Sequence, residues 1–301
     1  MARNFVIVVD SCSDLSTQIR NEHGIEYVRM GVVKNVGKEN EEEVYASLDW
    51  EVYSNKELFD WLRNGMAVKT TQVSASEYHR VFDKLVEEGN DILYIACSSA
   101  LSGSYNFSLM VKDEIKETHP EAKIICVDSL CSCMGQGLMA LDCAEMKKNG
   151  KTIEECAAYL EENKLCYHQF ATVETLEYLR KAGRVKAAAA FFGNIFGVKP
   201  MIISDAKGQN FAVKKVKGRR TSLVELVNMA KESVLKAQEQ TIYVVHADTQ
   251  EDAEFVKELL VKELNPKEVV VTPMGPIIGV STGPGTIGVY AKGKKVEVVG
   301  N

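Results

Sequence analysis

At 301 residues the chain is longer than one comfortable hydrophobic core, which predicts two domains, and 46% hydrophobic with 26% charged residues is ordinary globular usage that gives no reason to expect disorder. A net charge of −6 and a pI near 5.6 work against binding by phosphate neutralisation, so nucleic acid is set aside as a partner. No apolar run approaches the roughly 18 residues of a membrane span, and the apolar stretch near the N-terminus is too short for a signal peptide, so the expected location is cytoplasmic.

In chain order, Phe5 to Val9 is the first apolar run, continuous enough to be a strand buried on both faces. Tyr27 to Ser54 is charged and broken, above all from Lys38 to Glu43, and reads as a surface excursion rather than a sheet element. Ser74-Ala-Ser-Glu77 has capping-box spacing, and Tyr78, Val81, Phe82, Leu85 and Val86 continue it as a crossover helix that Gly89 ends. Ile92 to Ala96 and Ile124 to Val127 are further buried strands. Between them a helix follows Ser102-Gly103-Ser104, with Phe107, Met110, Val111 and Ile115 on one stripe, and another runs from about Gly135 towards Gly150. Alternation of strand and helix predicts a parallel sheet.

The second half changes character. Tyr167 to Val173 alternates, and Phe211 to Val216, Ile242 to His246, Val269 to Thr272 and Thr286 to Ala291 add strands of a mixed or antiparallel sheet. Helices are expected from Ser222-Leu-Val-Glu225 and from Thr249-Gln-Glu-Asp252. The expected class is therefore α/β, with a parallel-sheet domain over 1–165 and a second α/β domain over 166–301.

Eight cysteines at irregular spacing, several in or beside apolar runs, read as small buried hydrophobes. Cys131 and Cys133 lack the second pair or nearby His that would complete a zinc site, so no metal is expected. Chemistry concentrates elsewhere. Three first-domain strands run into Asp10-Ser11, Ser98-Ser99 and Asp128-Ser129, and in an open α/β sheet such ends form the ligand crevice, although turns and caps use the same residues. Ser98 to Tyr105 then becomes helical, so free amides and the hydroxyls around Ser102 and Gly103 converge at a helix N-terminus, a setting suited to an anion. Thr70-Thr71-Gln72-Val73-Ser74 is a second hydroxyl cluster.

Asp10-Ser-Cys-Ser-Asp14, Lys69-Thr-Thr-Gln72, Ser98 to Tyr105, Asp128-Ser129 with Met134-Gly-Gln-Gly137, Leu176 to Arg184, and Gly275 to Gly285 occur in one order along the whole chain. In them the sequence resembles the DegV family, whose members bind a fatty acid and present it to a fatty-acid kinase. The resemblance implies a Rossmann-like first domain, an acyl tunnel running into the second, and no covalent chemistry or cofactor beyond the bound fatty acid. It also implies a carboxylate held by Thr70, Thr71, Ser102 and the amide of Gly103. Where the family usually carries a His, this chain has Ser281, which can donate a hydrogen bond but carries no charge. Arg184 matches a family Arg near the tunnel mouth, flanked by Lys181 and Lys186. The Ala- and Phe-rich segment Ala187 to Val198 is too short to span a bilayer and reads as a core helix or as a flap opening in transient membrane contact.

Three rival readings can be weighed. In a serine hydrolase Ser102 or Ser99 would be the nucleophile, but there is no GxSxG, and none of the five histidines falls in a catalytic pattern, His246 at a strand end being the best placed. A phosphotransferase lacks its P-loop. A ligand-free regulatory interaction module would carry no lipid.

Overall fold

The computed structural model describes residues 3–185 and 197–300. Strand β1 (Asn4–Asp10) is followed by helix α1 (Thr17–His23) and the parallel strand β2 (Ile25–Val28). Three further short strands, β3 (Gly31–Lys34), β4 (Glu42–Tyr45) and β5 (Val68–Thr71), form a separate antiparallel sheet in the order β4-β3-β5, with helix α2 (Asn55–Arg63) between the last two. The expectation of a surface excursion over Tyr27 to Ser54 is thus wrong. These strands are four residues long, too short for alternation to register, yet Val32 and Val33 are buried.

Helix α3 (Ala75–Glu87), β6 (Asn90–Ala96), α4 (Ser104–Thr118) and β7 (Ile124–Asp128) complete a four-stranded parallel sheet in the order β2-β1-β6-β7. Its strands are apolar throughout because both faces are covered. Ile7, Val9, Leu93 and Ile95 pack beneath α5 (Met134–Lys148) and α6 (Ile153–Asn163), while Val8, Ile92 and Tyr94 meet α3 and α4. On the second face Tyr78, Phe82 and Tyr94 stack edge to face, with ring centroids 5.3 to 5.7 Å apart. The expected capping box at Ser74 is only half formed. Ser74 accepts the Glu77 amide, but the Glu77 carboxylate turns away to Arg29 and Arg80.

The second sheet has six strands in the order β10-β9-β8-β13-β11-β12. Strand β8 (Tyr167–Thr172) is followed by α7 (Glu177–Ala182), then by the antiparallel pair β9 (Val198–Ser204) and β10 (Asn210–Lys217). Helix α8 (Arg219–Ser233), β11 (Thr241–His246), α9 (Gln250–Leu264), β12 (Glu268–Pro273), α10 (Pro276–Thr282) and β13 (Ile287–Lys292) complete it. Only β11 and β12 run parallel, so the sheet is mixed, as its alternating strands predict. Helix α8 begins three residues before the expected Ser222, which is buried inside its first turn. Strand β9 went unforeseen because Pro200 interrupts its pattern. Pro200 lies just beyond Met201, where pairing with β8 ends. Ala187 to Phe196, the bulk of the expected flap, lie outside the described residues, while Val198 opens β9.

One apolar cluster joins the two sheets, running from Phe5 and Leu93 through Met134 and Leu138 to Tyr167, Val245 and Tyr290. A carboxylate is buried against it. Asp14, 4% exposed, accepts the Cys133 thiol at 2.9 Å. Burial pushes its pKa up to about 7, with Cys133 and the Gly275 amide offsetting part of the effect; burial raises Asp10 as well. A raised carboxyl pKa means that the folded state holds protons the unfolded chain has released. The contribution of Asp14 to stability is therefore greatest below the unfolded value of 3.8 and is lost as pH rises through about 7, at about 1.4 kcal/mol for each tenfold difference in proton affinity between the two states. Urea unfolding at about pH 5 and about pH 8 reads this. Asp14→Asn should flatten part of the slope, with Asp10 left to contribute in the same direction, and an unchanged slope would assign it to other groups.

Candidate functional site

One cavity lies between the two sheets, enclosing about 880 Å³ of space free of protein atoms, part of it open to solvent. All six residues singled out from sequence line it: Thr70, Thr71, Ser102, Gly103, Arg184 and Ser281. Thr70 and Thr71 end β5, which pairs with β3 so that Thr71 stands opposite Gly31. A side chain at Gly31 would collide with Thr71 and Glu43, so glycine permits their close approach. The Thr71 hydroxyl donates to Glu43 at 2.6 Å, whereas no described residue bonds to that of Thr70.

Ser102 and Gly103 end the loop from β6 into α4, whose N-cap Gly103 offers no side-chain cap. The positive end of this 15-residue helix therefore opens on the cavity, beside the Ser102 hydroxyl. Ser102 and Ser104 share a hydrogen bond at 2.9 Å, and Ser104 in turn accepts the Val73 amide at 3.2 Å, tying the two hydroxyl clusters together. Ser281 sits on α10, but its hydroxyl donates to Ile277 of its own helix at 3.0 Å. Its place in the wall matches expectation, while its hydrogen is already committed. Helix α10 ends at Gly283, where φ is +80° and the Tyr178 ring fills the space a side chain would need.

Arg184 donates to the carbonyls of Leu101 at 3.1 Å and of Ala182, so its guanidinium closes over the helix-α4 loop without a carboxylate partner among the described residues. An open groove continues outward from the cavity, sharing Thr70, Arg184 and Ser281 with it and adding Lys69, Arg63 and Lys181. These shared residues mark the mouth, where Lys181 pairs with Glu177 and Arg63 with Asp248, which leaves Lys69 and Arg184 as cations without a carboxylate partner among the described residues.

The strand-end carboxylates do not face the cavity. Asp10 accepts the amides of Cys12 at 2.9 Å and Cys97 at 2.8 Å and the Tyr94 hydroxyl at 3.1 Å, and Asp128 accepts the amides of Ser99 and Leu130. Ser98 donates to Gly208. Hydrogen bonds within and between these loops claim these groups, and what reaches the cavity from the same loops, besides Leu101, Ser102 and Gly103, is Cys12, Cys97 and Ser132. All eight cysteines are free thiols, and no group of three metal-ligating side chains occurs among the described residues. His246, the best-placed histidine by sequence, is buried outside the cavity lining, and burial pushes its pKa below the usual range. The nearest hydroxyl partner of Ser102 is a second serine rather than a base.

Sequence reasoning missed the cavity walls. Ala171 and Val173, with Ile202 in register beside Ala171, present one apolar face, and Leu179, Met274 and Ile277 supply others. Small or branched residues on one side of a strand show only that the face is covered.

The architecture and motifs have known counterparts. A family model described as an uncharacterised protein of the DegV family matches residues 4–294. The chain belongs to the DegV family. A DegV domain-containing protein of Clostridium perfringens is 35% identical over 295 residues, covering 98% of this chain and 99% of its own. Two solved structures superpose over 97% of this chain and all of theirs. One, from Thermus thermophilus, is 26% identical with a TM-score of 0.84 and is described by its fatty acid binding. The other, from Thermotoga maritima, is 25% identical with a TM-score of 0.83 and is described as revealing a fatty acid binding function.

Proposed function

We propose that this protein binds a long-chain fatty acid, buries its tail between the two sheets and presents its carboxylate to a fatty-acid kinase, performing no covalent step and using no cofactor itself. One observation carries the reading: the free Thr70 hydroxyl, Ser102 and the Gly103 helix terminus share a cavity with the apolar faces of β8, β9 and α10. A carboxylate accepts hydrogen bonds only, so it is matched by donors. Thr70, Ser102 and the Gly103 amide supply them without disturbing the fold, whereas Ser281 must first release Ile277. Arg184 adds charge at the mouth. A tail of about fourteen methylenes gains ~0.8 kcal/mol for each one buried, on the order of 11 kcal/mol before association and ordering costs. Headgroup hydrogen bonds add about 1.5–3 kcal/mol each, so the tail sets affinity and the head sets orientation.

No helix among the described residues is long and apolar enough to cross a membrane. Action in the cytoplasm, with transient membrane contact to load the lipid, fits the acidic chain with Lys69 and Arg184 at its mouth. Mass spectrometry of the native protein and of its organic extract tests the reading. One equivalent of fatty acid is expected, converted to acyl phosphate on adding a fatty-acid kinase and ATP; a lipid-free protein that takes up no fatty acid would overturn it.

Glu43 offers a sharper check. Its carboxylate takes the Thr71 hydrogen and sets a negative charge beside that cavity-lining residue, opposing an anionic ligand. Glu43→Gln should tighten fatty-acid binding a few-fold, with the gain shrinking as salt is raised. Displacement titrations at low and high ionic strength measure this, and weaker binding in the variant would remove Thr71 from the headgroup site.

A further inference from the structure

The cavity is more polar on one wall than an unbranched hydrocarbon requires. Gln169 on β8 stands beside Tyr290 on β13, in register, and its side chain reaches across β9 to Asn210 on β10. The Ser132 hydroxyl donates to Gln169 Oε1 at 2.9 Å, Gln169 Nε2 donates to Asn210 Oδ1 at 2.7 Å, and Asn210 Nδ2 donates to the Arg184 carbonyl at 3.0 Å. Ser132, Gln169 and Asn210 all line the cavity and are at most 8% exposed.

Their hydrogen-bonding capacity is only partly used. Each carboxamide nitrogen carries two hydrogens and commits one to a described partner, while the Ser132 oxygen spends its hydrogen and keeps its lone pairs. Two N–H groups and one acceptor are thus left on a desolvated wall. Methylenes laid against them would leave them unsatisfied, a penalty for every such ligand. Two residues along the same strand the wall becomes apolar, with Ala171 beside Ile202, so the polarity is confined to one band.

We infer that this band seats an oxygen carried on the acyl chain, so that the preferred ligand is an oxygenated fatty acid, bearing a hydroxyl or keto group. The inference rests on the fatty-acid reading and specifies its ligand class. A chain hydroxyl donates to Ser132 Oγ and accepts from Gln169 or Asn210; a keto oxygen accepts from the two amides. None of the three residues borders the mouth groove, which Thr70, Ser281 and Arg184 share with the cavity, so the second oxygen lies inside, apart from the carboxylate.

The test is competition between stearate and a panel of monohydroxylated stearates differing in hydroxyl position, on the delipidated full-length protein and on Gln169→Leu. At least one hydroxylated isomer should bind about tenfold tighter than stearate, and Gln169→Leu should abolish that preference while stearate binds at least as tightly as before. Ser132→Ala, which removes the acceptor together with the hydroxyl that holds Gln169 Oε1, should reduce the preference in the same direction and serves if the leucine variant does not fold. Stearate binding as well as every hydroxylated isomer, or a preference untouched by these substitutions, would overturn the inference and leave the fatty-acid reading standing. Failure of every fatty acid to bind would sink both.

Discussion

Ala171→Trp is expected to abolish lipid binding, lowering affinity by at least about a thousandfold, because the indole would occupy space the acyl tail needs and forfeit several of its ~0.8 kcal/mol methylene contributions. Ala171 lines the cavity between Gln169 and Val173 and packs beside Leu179 and Ile202, which line it too, so the larger ring takes its space from the cavity. Ser102→Ala should behave differently. It removes one charge-assisted hydrogen bond, about 1.5–3 kcal/mol, and weakens binding roughly tenfold to a hundredfold while the tail remains buried. Acyl-phosphate formation by an added kinase should suffer more than occupancy does, because a loosely held headgroup is a misplaced acceptor. Isothermal titration with kinase-coupled turnover separates the two effects. Equal loss of bound lipid in both variants would contradict the division of labour between tail and head.

The second large effect concerns the scaffold that carries Thr70 and Thr71. Glu77 on α3 is 1% exposed and receives the amide, Nε and Nη2 of Arg29 and the Nε and Nη2 of Arg80, all within 2.9 Å. Burial alone would raise its pKa, but the hydrogen bonds from Arg80 and Arg29 outweigh it and hold the carboxyl at about 2. Because the folded value is depressed, this contribution is fully present above the usual 4.5 and is lost as pH falls through about 2. Glu77→Ala leaves two guanidinium groups facing an apolar hole, and should cost about 3 kcal/mol, the low end for a broken buried pair because Arg80 is half exposed. Arg29 immediately precedes Met30, which lines the cavity, and Gly31, which faces Thr71, so ligand affinity should fall along with stability. Urea unfolding at neutral pH measures the first effect. A change below about 0.5 kcal/mol would mean that the arginines find other partners.

What the sequence made legible follows from how each signal arises. Strands β1, β6 and β7 could be read because a strand covered on both faces is apolar at every position. The small sheet of β3, β4 and β5 could not, since four-residue strands carry too little periodicity and the charges from Lys38 to Glu43 belong to the hairpin joining two of them. Glu77 satisfies the capping-box spacing, yet Arg80 one turn along the helix and Arg29, 48 residues away, together draw its carboxylate from the local amide, and the second of these contacts is made only in three dimensions. At the site, the hydroxyls of Thr70 and Ser102 stood out because clusters of donors beside helix starts are chemically distinctive. Asp10 and Asp128 looked equally promising but were consumed by their own turns. Gln169 and Asn210 gave no local sign, since they lie 41 residues apart and acquire meaning only when β8, β9 and β10 lie side by side.

The most direct measurement is a crystal structure of the protein grown with a long-chain fatty acid. It should place the carboxylate oxygens within about 3 Å of Thr70 Oγ1, Ser102 Oγ and the Gly103 amide, with the chain running along Ala171 and Ile202. A carboxylate seated elsewhere, or a chain lying outside the space between the two sheets, would contradict the account.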